Sequence, residues 1–393
     1  MKKANRRKSA EVMKYALGAV VGFLFITMGA GAASGQAMGT HNSDLPQVVI
    51  TRAPLIMMHS VDSNSPVHWD GKTLYLINSA GGHQYLSSGS DIAHLGYRDL
   101  IHIGNMDDHL YIWIEATWKA PDGTLYGGYH YEPNALCRSN HHLPTAPRIA
   151  WIRSQDNGKT WNDLGFIIDA NPSAIDCNSA SPWDAGGTGD FSFLPGPGGK
   201  YFYLYGTSYD PRFSQQGVFA ARMPVADRND PIGKMMKWYK GSWSQPGLGG
   251  LVTPVFPAQK DYTSKDGEMF WGPAVEWNTY LHTYVMVLNH AITPELATDG
   301  IYISFNSNIA NPNGWSKPVM IVNRAQILAN MAGTNLSPTK MTNGWYPEVV
   351  GEGPGETDAV VGKTGRLFLA GVSRLQITFI RPSQAEKSAR NGR

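Results

Sequence analysis

From residue 45 onward, apolar and polar positions alternate in short runs, and no stretch keeps the roughly 3.6-residue period of a long helix. Period-two alternation broken by Gly, Asn and Pro is the pattern of short strands joined by turns. The runs recur as a unit. Each unit has a segment rich in small and aromatic residues, a turn, a strongly apolar strand and then a third strand.

Five such units can be read. Residues 63–69 pair with 73–79 across Asp70-Gly71, and residues 111–118 with 124–130 across Pro121-Asp122-Gly123. Residues 189–194 pair with 201–206, 273–277 with 283–288, and 346–350 with 366–370. The third strands fall at 83–87, 148–154, 217–223, 300–305 and 375–380. A spacing of about fifty to ninety residues is too irregular for a solenoid and normal for propeller blades with long loops. The pattern predicts an all-β chain, a five-bladed β-propeller over residues 45–381 with a tail at 382–393. Residues 47–51 are placed to close the ring against the last blade, which removes an open edge. A β-sandwich with a second small domain explains the alternation but not the fivefold recurrence.

Composition agrees: 43 Gly, 25 Pro, 12 Trp and 18 Tyr accompany only 16% charged residues. A formal charge of +2 owes much to Lys2, Lys3, Arg6, Arg7, Lys8 and Lys14. Without these the chain is near neutral, which argues against a nucleic-acid partner. The basic run precedes the apolar stretch 15–33 and small residues up to Ala37, the order of an export signal over 1–37. If that segment is uncleaved it anchors the chain in a membrane; either way the folded part is expected outside the cytoplasm, as a monomer. Cys137 and Cys177 either form one disulfide in that compartment or stay separate thiols.

The first strand of every blade lines the central channel, so its polar residues converge. This singles out Asp62 ahead of "SNSPVHW", Glu115 in "IWIEATW", Asp190 in "GGTGDFSF", Glu276 in "WGPAVEWN" and Glu348 in "WYPEVV". Acids set among Trp69, Trp113, Phe191, Trp271, Trp277 and Trp345 are desolvated and repel one another, which drives their pKa values apart. A glycosidase needs such a pair, one acid to protonate the leaving oxygen and one carboxylate to attack or to activate water. Asp62, Glu115, Asp190 and Glu276 are the catalytic candidates; Trp69, His130, Glu132, Trp271 and Glu348 are candidates for holding substrate. Each acid also has a plain alternative, capping a strand end. No cofactor is called for, although the channel acids suit a structural Ca²⁺.

The segments "DSNSPVHWDGKTLYLINS", "DGTLYGGYHYEP", "GGTGDFSFLPGPGGKYFYLY" and "WGPAVEWNTYLHTYVMVLN" resemble blades of the five-bladed propeller glycoside hydrolases, the clan of arabinanases and β-xylosidases. They resemble still more closely exported bacterial glycosyl hydrolases of that architecture. The resemblance implies a carbohydrate substrate, with an Asp on the first blade as general base, an Asp on a second blade tuning pKa and a Glu on a third as general acid. Asp62 matches the base. The other two types are exchanged, Glu115 standing where the pattern has Asp and Asp190 where it has Glu; on this reading the acid is Asp190 or Glu115, with Glu276 behind them.

Residues 154–161, "SQDNGKTW", resemble the Asp-box turn of sialidases and other propellers. The box holds a turn, through Asn157 and Gly158 in tight geometry and Trp161 packed beneath, and Asp156 needs no catalytic role. A sialidase also needs three arginines clamping a carboxylate. Arg98, Arg138, Arg148 and Arg153 all fall off the first strands. The "YHYEPNALCRSNHH" loop gathers His130, Glu132, His141 and His142, where a cation or a sugar hydroxyl can bind, although such loops are common without either. "GPGGK" at 196–200 joins two strands and reads as a hairpin turn, not a phosphate loop. The leading expectation is an exported glycosidase. The alternative is a non-catalytic glycan- or protein-binding propeller, with a sialidase or a polysaccharide lyase behind both.

Overall fold

The computed structural model describes residues 45–58, 61–104, 111–133, 137, 144–334 and 344–382. They form five antiparallel sheets, in chain order, each led by an inner strand. Blade one runs Val67–Asp70, Thr73–Ala80, His83–Gly89 and Asp99–Leu100. Blade two runs Ile112–Lys119, Leu125–Tyr131, Arg148–Ser154 and Thr160–Ile168, with His102–Ile103 parallel on its outer edge. Blade three is led by Thr188–Pro195, Tyr201–Ser208 and Gly217–Pro224, and blade four by Met269–Asn278, Thr283–Ala291 and Thr298–Asn306. Blade five consists of Glu348–Gly351, Thr364–Leu369 and Val372–Ile380.

The fourth strand of blade five comes from the beginning of the fold. Residues Gln47–Met57 pair antiparallel with Val372–Ile380, Gln47 opposite Ile380, so the ring closes through the two ends of the chain as the alternation predicts. Among the described residues helix is confined to Arg324–Met331 and a few single turns. Its start is a capping box, Asn323 Oδ1 accepting from Gln326 N while Gln326 Oε1 accepts from Asn323 N.

The core lies between blades. Trp151 and Phe202 of neighbouring blades two and three meet Phe193 at 4.6 and 5.6 Å, and Val285, Ile303, Leu367 and Ile377 fill the space between blades four and five. Burying each of these side chains contributes about 1.5–3 kcal/mol. Glycine sets how closely blades approach: a Cβ at Gly128 would stand 2.8 Å from the Phe191 ring. Cys137 and Cys177 are joined, their Cα atoms 5.4 Å apart, tying the segment after residue 131 to the one before blade three. Of the two sequence alternatives, the disulfide is the one found.

The "SQDNGKTW" turn joins the third and fourth strands of blade two. Asp156 Oδ1 accepts from Ser154 Oγ at 2.7 Å and Thr160 N at 3.0 Å, Oδ2 accepts from Thr160 Oγ1 at 2.7 Å, and Trp161 Nε1 donates to Gly158 O at 2.9 Å. Asn157 (φ 59°) and Gly158 (φ 88°) take the left-handed geometry the residue types allow. Both Asp156 oxygens are engaged within the turn.

Candidate active site

Three inner strands are bulged where they meet the channel. Register shifts fall between Ile114 and Ala116, between Gly189 and Ser192 and between Trp271 and Ala274. A bulge turns a side chain out of the regular alternation and is common beside functional sites. The first two aim Glu115 and Asp190 at one point, and Asp190 holds a strained φ of 40° to do so.

His130, at the end of the second strand of blade two, stands at that point. Its Nδ1 lies 3.3 Å from Glu115 Oε1 and 3.7 Å from Asp190 Oδ1, and its Nε2 lies 3.3 Å from Glu132 Oε1. Burial opposes a charge on the ring, but hydrogen bonding to Asp190, Glu115 and Glu132 outweighs it, and the His130 pKa rises well above its ordinary value. The ring is thereby held among the three acids. The amide N–H of Asp190 lies 3.2 Å from Nδ1 and can donate there only to the neutral ring.

The acids differ in access. Glu115 is 1% exposed; Oε2 accepts from Phe191 N at 2.5 Å, and burial pushes its pKa up to about 7. Asp190 is 6% exposed, with Oδ2 accepting from the Tyr209 hydroxyl. Glu132 keeps a third of its side chain exposed. Asp62, ahead of blade one, is half-buried, its amide bonded to Ser79 O at 2.8 Å. Burial first, then the charges of Glu132 and Asp190, raise its pKa to about 7. The open acids are thus Asp62 and Glu132; Glu115 is sealed and Asp190 nearly so.

Sequence reasoning passed over several residues that surround this group. Tyr209 and Tyr346 are buried, their phenol pKa values driven up by burial and by Asp190, and Tyr346 sits at φ 51°. Asp184 is buried with its pKa well raised by burial and by Glu132; its Oδ2 accepts from Tyr262 at 2.9 Å. Tyr209 and Asp184 lie just past a strand end and in a connecting loop, which carry no first-strand signal; Tyr346 heads the expected first strand of blade five, but the first-strand reading singled out its acid, Glu348.

Other candidates lie elsewhere. Glu348 Oε2 accepts from Ser65 N at 2.9 Å, and Glu276 feels Asp358 and Glu356; burial raises both pKa values. Trp271 is fully buried against Trp345 at 5.3 Å, and Trp69 is at the opposite end of the channel. Arg148 pairs with Asp169 at 3.1 Å, Arg98 lies over Tyr85 and Arg153 bonds Asn229 at 3.3 Å, so none reaches the acid group. Arg138, His141 and His142 lie outside the described residues.

Glu115, His130 and Asp190 each offer one ligand atom, all within 4.8 Å of one another. Ca²⁺ prefers six to eight oxygens, whereas this set is one nitrogen and two oxygens, the donor type of a transition metal. An imidazolium cannot ligate, so metal and proton compete for the same ring.

No family model and no curated protein matches the chain. Solved structures do: the native arabinanase Arb43A of Bacillus subtilis is 12% identical, with 82% of this chain and 95% of that one covered at a TM-score of 0.44. The endo-arabinase of Bacteroides thetaiotaomicron is 12% identical over 84% and 97%, TM-score 0.46. A thermostable family-43 glycoside hydrolase is 10% identical over 84% and 92%, TM-score 0.46. The likeness is one of fold: this chain is a five-bladed β-propeller structurally similar to family-43 glycoside hydrolases.

Proposed function

We propose that the chain is an exported glycoside hydrolase working at the mouth where Asp62 and Glu132 are open. The observation that carries this reading is Asp62, a half-buried carboxyl with a pKa near 7. It can take a proton from water at neutral pH while its neighbours hold their geometry. Glu132 is the second open acid, anchored through its amide to Tyr111 O at 3.0 Å, and gives a proton to the leaving oxygen in the form of the pair that holds one proton, on Glu132, with Asp62 ionised. The step balances: the glycosidic C–O bond breaks, the leaving oxygen gains Glu132's proton, water's oxygen joins the anomeric carbon and its proton goes to Asp62. His130, fixed by Glu115 and Asp190, positions Glu132. Export is supported by the basic-then-apolar leader and the Cys137–Cys177 bond.

The test is release of reducing sugar from arabinans, xylans and galactans, with sialosides alongside, and with 4-nitrophenyl glycosides of the sugar released. Asp62→Asn loses about 10²–10⁴-fold on every substrate. Glu132→Gln loses similarly on the polysaccharide but keeps much of its rate on the nitrophenyl glycoside, whose leaving group needs no proton. A folded wild type that binds glycan and releases nothing is a binding module, and sialic acid release contradicts the account of "SQDNGKTW".

A further inference from the structure

The inner strands run on from the acid group to a second mouth. From Asp190 to Pro195 is five residues, about 16 Å at roughly 3.3 Å each, and there all five blades line a cavity of about 500 Å³. Trp69, Trp118, Pro195 and Trp277 form its walls, and Gly355, Thr357, Ala359 and Val360 of the blade-five loop form another side. That loop is fastened on both flanks. Glu356 O accepts from Trp69 Nε1 at 2.7 Å and Asp358 Oδ1 from Val67 N at 2.8 Å, on blade one. Ala359 O accepts from Trp277 N at 2.9 Å, and Val360 pairs parallel with Trp277, on blade four.

Charge and polarity narrow the occupant. Lys119 is the one ammonium or carboxylate among the described lining residues, and Trp69 O (3.1 Å), Asp70 Oδ1 (2.8 Å) and Asn157 Oδ1 (3.0 Å) already surround it. His68 is held neutral, its pKa lowered to about 4 by burial and then by Lys119. A charged ligand finds no counter-ion. Yet one buried polar side chain in the lining lacks a partner, the Thr117 hydroxyl (6% exposed); His68 (3% exposed) is held by the Asn157 backbone and by its ring stacked on Tyr75 at 5.1 Å. Native structures seldom leave such atoms unpaired.

The geometry points to a second, non-catalytic carbohydrate site at this mouth, taking a neutral unit of one or two sugars. Sugar C–H faces lie on the indoles, and a hydroxyl reaches Thr117. The site stands on its own lining and does not depend on hydrolysis at the other mouth.

The test is calorimetric titration of the purified full chain with xylobiose, arabinobiose and β-1,3-galactobiose. Thr117→Val keeps the shape and deletes the unpaired hydroxyl, so its melting temperature without sugar should equal or exceed that of the wild type. One disaccharide should bind the wild type and Asp62→Asn with the same Kd within about twofold, and Thr117→Val and Trp277→Leu at least about tenfold more weakly. The proposal is overturned if none binds Asp62→Asn saturably, if Thr117→Val leaves binding intact, or if Thr117→Val lowers the melting temperature. Sugar binding by a protein without hydrolysis would remove the proposed function and leave this site standing.

Discussion

Gly189 packs against the imidazole of His130 so closely that a Cβ at that position would stand 2.5 Å from Cε1 and 2.7 Å from Nδ1. Only a residue without a side chain lets the inner strand of blade three pass this near. The contact fixes where the ring sits between Glu115, Asp190 and Glu132.

Gly189→Ala must therefore shift either the strand or the ring. Glycosidase activity should fall about a hundredfold, the scale of a 1 Å misplacement, while melting falls by a few degrees. Gly198→Ala, at a turn where a Cβ meets nothing within 4 Å but the left-handed φ of 71° strains any side chain, controls for loss of stability without loss of the His130 contact. Equal activity in Gly189→Ala and the wild type would remove His130 from the site.

Stability should decline between about pH 4 and 7. Asp62, Glu115 and Asp358 have folded pKa values of about 7 against ordinary values of 3.8, 4.5 and 3.8. Over that window the folded state holds protons the unfolded chain has released, so their stabilisation is full below the unfolded pKa and is lost as pH rises through the folded one. His130, raised by its acid partners, acts in the same direction; His68, lowered to about 4, opposes them between about 4 and 6.5. The melting temperature should be higher at pH 5 than at pH 8, and Asp358→Asn should narrow the gap because the amide oxygen still accepts from Val67 N. A melting temperature that rises from pH 5 to 8 would show the acids ionised without cost.

The bond between Cys137 and Cys177 closes a separation of 40 residues. On the chain-entropy model a loop of this size stabilises by about 4 kcal/mol. The double variant Cys137→Ser/Cys177→Ser should melt lower by several degrees, and dithiothreitol should lower the wild type but not the variant. Equal melting of all three would show the bond idle.

Asp156→Ala removes acceptors for Ser154, Thr160 N and Thr160 Oγ1. The loss should destabilise by about 1–3 kcal/mol and leave kcat unchanged, since the turn's outward contact is Asn157 with Lys119 and Asp70. A fall in kcat without a fall in melting would give Asp156 a catalytic part.

The ring was legible in the sequence because each blade begins with an alternating strand followed by a turn of distinctive chemistry, such as Asp70-Gly71 or Pro121-Asp122-Gly123, and because residues 47–51 had only the last blade left to pair with. The convergence of Asp62, Glu115 and Asp190 was legible from the same first-strand rule. That rule does not say how far along the strand a carboxyl stands. At about 3.3 Å per residue, a few positions separate Asp190, among the acids around His130, from Glu276 and Glu348, which keep company with Asp358 instead. Periodicity also says nothing about bulges, and without them Glu115 would follow the regular alternation. Tyr209 and Asp184 enter through tertiary contact alone, and nothing in their local sequence announces them; Tyr346 was legible by position, at the head of the 346–350 strand, but not by residue type.

The central claim, that Asp62 is the base, is tested most directly by the pH dependence of kcat/KM for sugar release. The step needs Asp62 ionised and Glu132 protonated together, one proton between two acids that repel, and above about 7 that proton is lost, so kcat/KM for the wild type should fall as pH rises through about 7. Asp62→Asn should lose that fall along with about 10²–10⁴-fold of the rate, while melting cooperatively. An Asp62→Asn variant that keeps both the rate and the fall through pH 7 would remove Asp62 from the reaction.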